Sequence, residues 1–450
     1  MRMTLLGKRV WIAGIALVFA ASAMNACGNA GDHRAGGDVK QSRPKGEIHV
    51  LVLGDAAASA EKAAADRFNR TSDIKVVVDS GSISGVDYNT AVRNSIGSPT
   101  APDIFMSWGA AGIKSLVNAG ALLPLDDFIR QDPQLRDAFI RSVFKEDVIS
   151  GTTFGIPIRG VAPVFLFHNK TVLSRLGLKP ATTLDELRRQ VGVLTSAGVT
   201  PIGLGGADRW PQLMWFEYLY SRIVGNDTVA KGLAGDSRVW ESDDSRSVLR
   251  LIRTLVDSGA FGKSYDSVKY GSTGSAALLR AGKTAYELQG AWHFATTIDP
   301  DPGFAGQLGW TPFPTVDGGR GSPGEIAGNL SNFYNVIAET RYPETVRGFL
   351  AELHGNQFLA DQIRLGNLPP TNNAGELLKA DTDLMPINKQ YLTFVVDLVA
   401  QAPSFQLSWD QTMPAEEQVA FQDAIAGFFN GTIDADAFIQ KIQAVTRPTS

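Results

Sequence analysis

Cysteine is almost absent: Cys27 is the only one in 450 residues. A lone thiol makes no internal disulfide, so packing and hydrogen bonds must hold the fold. Histidine is scarce too. His33, His49, His168, His293 and His354 show neither HExxH nor HxxH spacing, which argues against a zinc site. Positive charge is not in excess; the formal net charge is −4, and nothing points to nucleic acid. The first βα turn has no GxGxxG and no GxxxxGK, so neither a dinucleotide nor a P-loop phosphate site is indicated. A GxSxG elbow is missing as well. Neither a metal nor a cofactor is expected.

Long apolar runs are also lacking, apart from residues 10–23. Arg2, Lys8 and Arg9 precede that run, which has the length of a signal peptide and is too short to span a bilayer comfortably. Cys27 follows directly. Met24-Asn25-Ala26-Cys27 resembles the lipobox of bacterial lipoproteins, in which the cysteine is lipidated. Ala26 fits that pattern, whereas Asn25 is larger and more polar than the usual residue. Residues 28–45 are small, polar and aperiodic, as in a flexible tether. Removal of residues 1–26 leaves a net charge of about −7.

What is present is an α/β alternation. Strands are expected over 47–54, 73–80 and 102–108, with helices over 57–69, 86–96 and 111–118. Such alternation builds a parallel sheet with right-handed crossovers, and its ligands sit beyond the carboxyl ends of the strands. Those ends are Gly54-Asp55, Asp79-Ser80-Gly81 and Trp108-Gly109. A second α/β region follows: helices over 184–197 (capped by Thr182 or Thr183), 212–224 and 246–258, strands over 200–204 and 284–288, and an irregular extended segment at 308–314. A short strand at 335–338 is expected to cross back. The last third is helical. At this length the chain should form at least two domains.

Residues 155–170, GIPIRGVAPVFLFHNK, lie between the two α/β regions. They read as a loop carrying Arg159, then a central strand, which makes them the first crossing between two lobes with Arg159 facing the cleft. Four tryptophans sit at turns rather than in apolar stripes: Trp108, Trp210, Trp292 and Trp409. A sugar ring offers an apolar face that suits an indole and a hydroxyl rim that suits Asp, Glu, Asn and Arg; the competing reading of each indole is core packing. Trp215 and Trp240 read as packing residues, and Trp310 as core or cleft edge. Glu217 falls on the apolar face of its helix, so it needs a partner. Either it accepts sugar hydroxyls or it forms an internal salt bridge with Arg159 or Arg222.

Taken together, APDIFMSWG (101–109), residues 155–170, TLDELRRQVGVLTSAGVTPIGLGG (183–206), WPQLMWFEYLYSRIVG (210–225) and GKTAYELQGAWH (282–293) resemble the sugar-binding lipoproteins of ATP-binding-cassette importers. The likeness is to the family that includes maltose-binding protein, and within it to actinobacterial xylobiose-type binders. It implies a two-lobed periplasmic-binding-protein type II fold, the Venus flytrap, with three interlobe crossings near 164–168, 335–338 and 397–406. Lobe one would comprise 47–163 and 339–398, and lobe two 164–338 and 399–446. The implied ligand contacts are Trp108, Arg159, Trp210, Glu217, Trp292 and Asp410, with Asp55 and Gly109 beside them. The implied ligand is a β-linked disaccharide or short oligosaccharide, delivered to permease subunits by a monomer anchored through Cys27 outside the cell membrane. Ala110-Ala111 departs from the run of glycines usual after Trp-Gly. The rival readings are a secreted glycoside hydrolase using two of Glu217, Glu287, Glu325 and Asp410, a binder of a non-sugar solute, and a partner of a membrane sensor.

Overall fold

The computed structural model describes residues 46–80 and 85–446. Residues 1–45, which hold Cys27 and the expected leader and tether, lie outside the described residues, as do residues 81–84 and 447–450.

The described chain opens with β1 (Glu47–Val52), in which alternate residues Ile48, Val50 and Val52 are fully buried. This is the two-residue period of a half-buried strand. α1 (Ala58–Phe68) turns Ala60, Ala64 and Ala65 inward. β2 (Lys75–Ser80) pairs with β1 in parallel, from Glu47 opposite Lys75 to Val52 opposite Ser80. β3 (Ile104–Ser107) lies parallel on the other edge of β1, and α2 (Ala110–Asn118) leaves its end through Gly109. β4 (Gly155–Pro157) completes this part of the first sheet.

Residues 158–161 carry the chain into a second sheet, whose central strand is β5 (Ala162–Asn169). Gly160 is required here, because an added Cβ would lie 2.4 Å from the Leu368 carbonyl oxygen. α3 (Leu184–Ser196) starts in a capping box: Thr183 Oγ1 accepts the Glu186 N–H at 3.1 Å and the Glu186 carboxylate reaches back to the Thr183 N–H. β6 (Thr200–Gly203) and α4 (Trp210–Ile223) follow, and then β7 (Thr284–Gly290), antiparallel to β5 and parallel to β6. After α5 (His293–Ile298) comes β8 (Leu308–Thr311), the segment expected to be irregular. It is a regular strand, antiparallel to the carboxyl half of β5. β9 (Ile326–Asn329) takes the amino end of β5 through Gly328–Pro163 and Asn329–Ala162.

β10 (Phe333–Val336) is back in the first sheet, antiparallel between β3 and β4. That sheet is therefore mixed rather than wholly parallel, with the order β2-β1-β3-β10-β4. The return crossing occupies residues 330–332, ahead of the expected 335–338, and residues 164–168 lie inside β5 rather than between lobes. α6 (Pro386–Gln401) was expected with the first lobe over most of its length. Its Tyr391, Leu392 and Val395 instead pack with Phe165 and Phe167 of β5. β11 (Phe405–Leu407) pairs in parallel with β9 and gives the second sheet the order β11-β9-β5-β7-β6, with β8 also on β5. α7 (Ala415–Phe429) then packs on α4.

Each sheet has its own core. Ile48, Val50, Ile104, Ile156, Tyr334 and Phe349 belong to one, and Leu166, Ile202, Trp215, Trp240 and Trp409 to the other. Two sheets, each returning for strands from distant parts of the chain, make this the two-lobed α/β fold expected from the sequence. Among the described residues no helix is long and apolar enough to cross a membrane, and no group of three His, Cys, Asp or Glu side chains could hold a metal ion.

Candidate functional site

A cleft of about 470 Å³ takes its walls from both sheets. Asp55 and Trp108 come from the carboxyl ends of β1 and β3, Trp292 from that of β7, Trp210 from the start of α4, and Asp410 from the turn after β11. The floor includes Arg159 and, at the return crossing, Asn329 and Asn332. Strand ends are where open α/β sheets expose backbone and side chains to a ligand.

Three half-buried indoles line the cleft. Trp108 meets Tyr88 edge-on at 5.7 Å. Trp210 meets Trp292 at 6.0 Å and Tyr270 at 5.0 Å, both edge-on. Edge-on packing leaves an indole face open to a partner. Trp292 lies back over the end of its own strand, and Gly290 permits this: an added Cβ there would sit 2.1 Å from the Trp292 ring.

Arg159 is buried but bonded on most sides. Its Nε and Nη2 grip the Glu61 carboxylate at 2.9 and 3.1 Å, its Nη1 donates to Asp55 Oδ2 at 2.8 Å, and its Nη2 also reaches the Leu53 carbonyl at 3.3 Å. Burial disfavours the guanidinium charge, but Asp55 and Glu61 outweigh it and keep Arg159 protonated. Arg159 thus organises the first wall. Its bond leaves Asp55 Oδ1, which has no hydrogen-bond partner among the described residues, as the acceptor beside the cleft.

On the facing wall, Asp410 Oδ2 accepts from Gln422 Nε2 at 2.8 Å and its Oδ1 lies 2.9 Å from Ser408 Oγ. Ser408 Oγ also lies 2.8 Å from Glu217 Oε1. A hydroxyl has one proton to donate, so both contacts bond only if one carboxyl carries a proton. Burial, reinforced by Asp410, pushes Glu217 up to about 8. Burial raises Asp410 as well, so a single proton held by the Glu217–Asp410 pair lets Ser408 bond to both carboxyls.

Of the eight expected contact residues, the structure gathers Asp55, Trp108, Arg159, Trp210, Trp292 and Asp410 around this cleft. Glu217 is not among its lining residues. It has no exposed surface and bonds the Ser408-Trp409 turn, with neither Arg159 nor Arg222 as its partner. Gly109 lines a smaller recess of about 270 Å³ behind Trp108, and its φ of 116° suits glycine alone. Trp409 is core, packed edge-on with Trp240 and Tyr220. Trp310 packs on Tyr391 outside the cleft. Of the four acids considered for glycoside cleavage, Asp410 alone lines the cleft: Glu287 is fully buried, and Glu325 accepts from Ser221. The sequence reading missed Tyr270, Asn329 and Asn332. The signal for the asparagines was the Asn329-Leu330-Ser331-Asn332 turn, a polar break between two apolar segments.

The sequence model of the family of bacterial extracellular solute-binding proteins matches residues 53–357. An ABC transporter extracellular-binding protein of Pyrococcus horikoshii is 21% identical over 295 residues, which is 64% of this chain and 63% of that relative; the match thus spans less than two-thirds of the relative's length. Two solved structures share the fold. One, from work on xylan utilization by the thermophile Caldanaerobius polysaccharolyticus, superposes with a TM-score of 0.78 at 24% identity, over 88% of this chain and 99% of that one. The other, a chitin oligosaccharide binding protein, gives 0.76 at 19% identity, over 89% and 98%.

Proposed function

This chain belongs to the family of bacterial extracellular solute-binding proteins, and from that premise we propose that it is the solute-binding subunit of an ATP-binding-cassette importer and captures a short oligosaccharide, with xylobiose or another β-linked disaccharide as the first choice. One observation carries the reading: Trp108 stands on one wall of a single cleft and Trp210 with Trp292 on the other, with Asp55, Asp410, Asn329 and Asn332 around them. Flat apolar faces with acceptors at their rims match the two surfaces of a pyranose ring. The two structural relatives support the substrate class, because one comes from work on xylan utilization and the other is named for binding chitin oligosaccharides.

The mechanism is a hinged trap. The hinge consists of residues 158–161 and 330–332, with a third link after the helices that follow β10. A sugar first meets the indole of one lobe. Closure brings the other lobe's indoles and carboxylate onto it, and the ligand stabilises the closed state only by those added contacts. The closed form then docks on the permease. The lobes follow the two sheets: residues 47–157 with β10 and the helices next after it form one, and residues 162–329 with α6, β11 and α7 form the other. Cys27 would carry the lipid that keeps the monomer at the outer face of the membrane; two acyl chains suffice for stable anchoring. No reaction is assigned to the protein.

The test is calorimetric titration with xylobiose, xylotriose, cellobiose, chitobiose and maltose. A micromolar Kd, about −8 kcal/mol, for one β-linked sugar supports the reading. A folded protein that gives no heat with any of them overturns the choice of sugar.

A further inference from the structure

Behind the wall that carries Trp210 and Trp292 lies a buried polar chain that plays no part in the trap described above. Glu287 on β7 and His293 on α5 are both fully buried. Glu287 Oε2 and His293 Nε2 face each other at 3.6 Å, and neither atom has a hydrogen-bond partner among the described residues. The other imidazole nitrogen, Nδ1, lies 3.3 Å from the hydroxyl of Tyr270, and Tyr270 lines the cleft. Glu287 Oε1 is held by Gln289 Nε2 at 3.4 Å.

We propose that Glu287 and His293 form a positioning relay that decides whether Tyr270 offers the cleft a hydroxyl proton or only an oxygen lone pair. The inference rests on the cleft being the sugar site. A neutral imidazole carries one N–H and one acceptor nitrogen, and the bond made by one nitrogen fixes the role of the other. When Glu287 is protonated, a few tenths of an ångström of approach across the 3.6 Å gap lets it donate to Nε2. The imidazole proton then sits on Nδ1 and is donated to Tyr270, whose own O–H is left for an acceptor in the cleft or for Thr296. When Glu287 is ionised, it accepts from Nε2–H. Nδ1 then accepts the Tyr270 proton, and Tyr270 presents only lone pairs. The two states differ by one proton on the carboxyl and a shift of the imidazole proton from one nitrogen to the other.

The surroundings keep the imidazole itself uncharged. Burial, with Arg280 of the helix Ser275–Arg280 adding its charge, pushes His293 down to about 3. From β5 the ring of Phe167 meets it edge-on at 4.7 Å. Tyr391 of α6 lies beyond Tyr270 and donates to the Ala291 carbonyl, and Asp55 acts on Tyr270 from across the cleft. The Trp292 and Thr296 side chains also face the Tyr270 hydroxyl. Burial pushes Glu287 up to about 7, so the exchange falls near neutral pH.

The experiment is 15N NMR of the full chain labelled at histidine, from pH 5.5 to 8.5, with His293 assigned by its loss in His293→Gln. The expected result is a change of tautomer, from Nδ1–H to Nε2–H, centred near pH 7. Glu287→Gln keeps a donor facing Nε2 and should hold the Nδ1–H form throughout. Calorimetry with xylobiose supplies the second arm. The native affinity should change several-fold across this range, the size of one hydrogen bond, and Glu287→Gln and Tyr270→Phe should each flatten the profile. A native His293 that keeps one tautomer, or becomes cationic, overturns the relay. A pH-dependent affinity that survives Glu287→Gln overturns its coupling to the cleft. If xylobiose does not bind at all, the reading of the sugar fails, and the NMR arm still judges the relay by itself.

Discussion

Glu217 Oε1 accepts the backbone N–H of Trp409 at 2.8 Å. A carboxyl with no exposed surface therefore sits directly beneath the turn that presents Asp410 to the cleft. This contact joins core to site: Trp409 anchors the turn among Tyr220, Trp240 and Phe421, and Glu217 with Ser408 orients Asp410 above it. It also has a consequence for pH.

Glu217 is held near 8 in the folded chain, against an ordinary 4.5. Its folded pKa is raised, so the folded state holds a proton that the unfolded state has released between those values. The contribution to stability is full below about pH 4.5 and is lost as pH rises through about 8. Glu217→Gln cannot ionise and keeps an oxygen for the Trp409 N–H. Its stability relative to the native chain should improve by roughly 1–3 kcal/mol from pH 4.5 to 8.5. Urea unfolding at several pH values measures this; parallel native and variant profiles would show that Glu217 stays ionised.

Arg159 provides a second test. Removing its guanidinium strands Glu61, which is fully buried, and releases Asp55 from its bond. Arg159→Ala should cost about 3–5 kcal/mol, as expected when one partner of a buried pair is deleted, and sugar affinity should fall at least tenfold even where the protein remains folded. Arg159→Lys restores charge without the bidentate grip on Glu61 and should recover only part of either loss. Thermal unfolding and calorimetry separate the two effects. Full binding by a folded Arg159→Ala protein would remove Asp55 from the site.

Much of this architecture can be read locally, and the part that cannot has a common cause. Ile48, Val50 and Val52 announce β1 by their spacing, the Thr182-Thr183 pair announces the start of α3, and residues 155–170 show where the chain changes sheet. Each of these signals lies within a few neighbouring residues. β9 and β11 are strands of four and three residues that exist because Gly328 meets Pro163 and Phe405 meets Ile326; so short a segment has no period to detect. Glu217 reads in the sequence as a carboxyl needing a partner, but that partner is Ser408, 191 positions away. Trp409 looked like Trp108 in sequence, each set beside polar or small residues at an element's end. Only the packing of Tyr220 and Trp240 distinguishes the core indole from the cleft indole.

Gly290 tests how the second wall is built. Gly290→Ala would place a methyl group 2.1 Å from the Trp292 ring, so the indole must leave its position over the strand end. The expected cost is about 1–3 kcal/mol of stability from overpacking. Loss of sugar affinity should exceed that of an Ala substitution at an exposed glycine such as Gly306, where no heavy atom lies within reach of an added Cβ. Tryptophan fluorescence should shift in the Gly290 variant and not in the control. An unchanged spectrum with unchanged affinity would mean that Trp292 does not need its present position to bind sugar.

The tryptophans themselves separate core from site most directly. Trp409 is 1% exposed, whereas Trp108 and Trp292 are half-buried on opposite walls of the cleft. Trp409→Ala leaves a large void and should destabilise the fold by about 3–5 kcal/mol. Any affinity it loses should return once the measurement is corrected for the unfolded fraction. Trp108→Ala and Trp292→Ala remove a stacking face while leaving most of the core intact, so each should weaken binding tenfold or more with a smaller loss of stability. Paired urea denaturation and calorimetry on the three variants give both quantities. The trap also requires the two cleft indoles to act together, because each stacks fully only when the lobes have closed on the ligand. The double variant Trp108→Ala/Trp292→Ala should therefore lose less binding energy than the sum of its parts, since once closure is no longer rewarded by one indole the other has less to lose. Strict additivity would point to two independent contacts on a rigid cleft and would count against closure as the source of affinity.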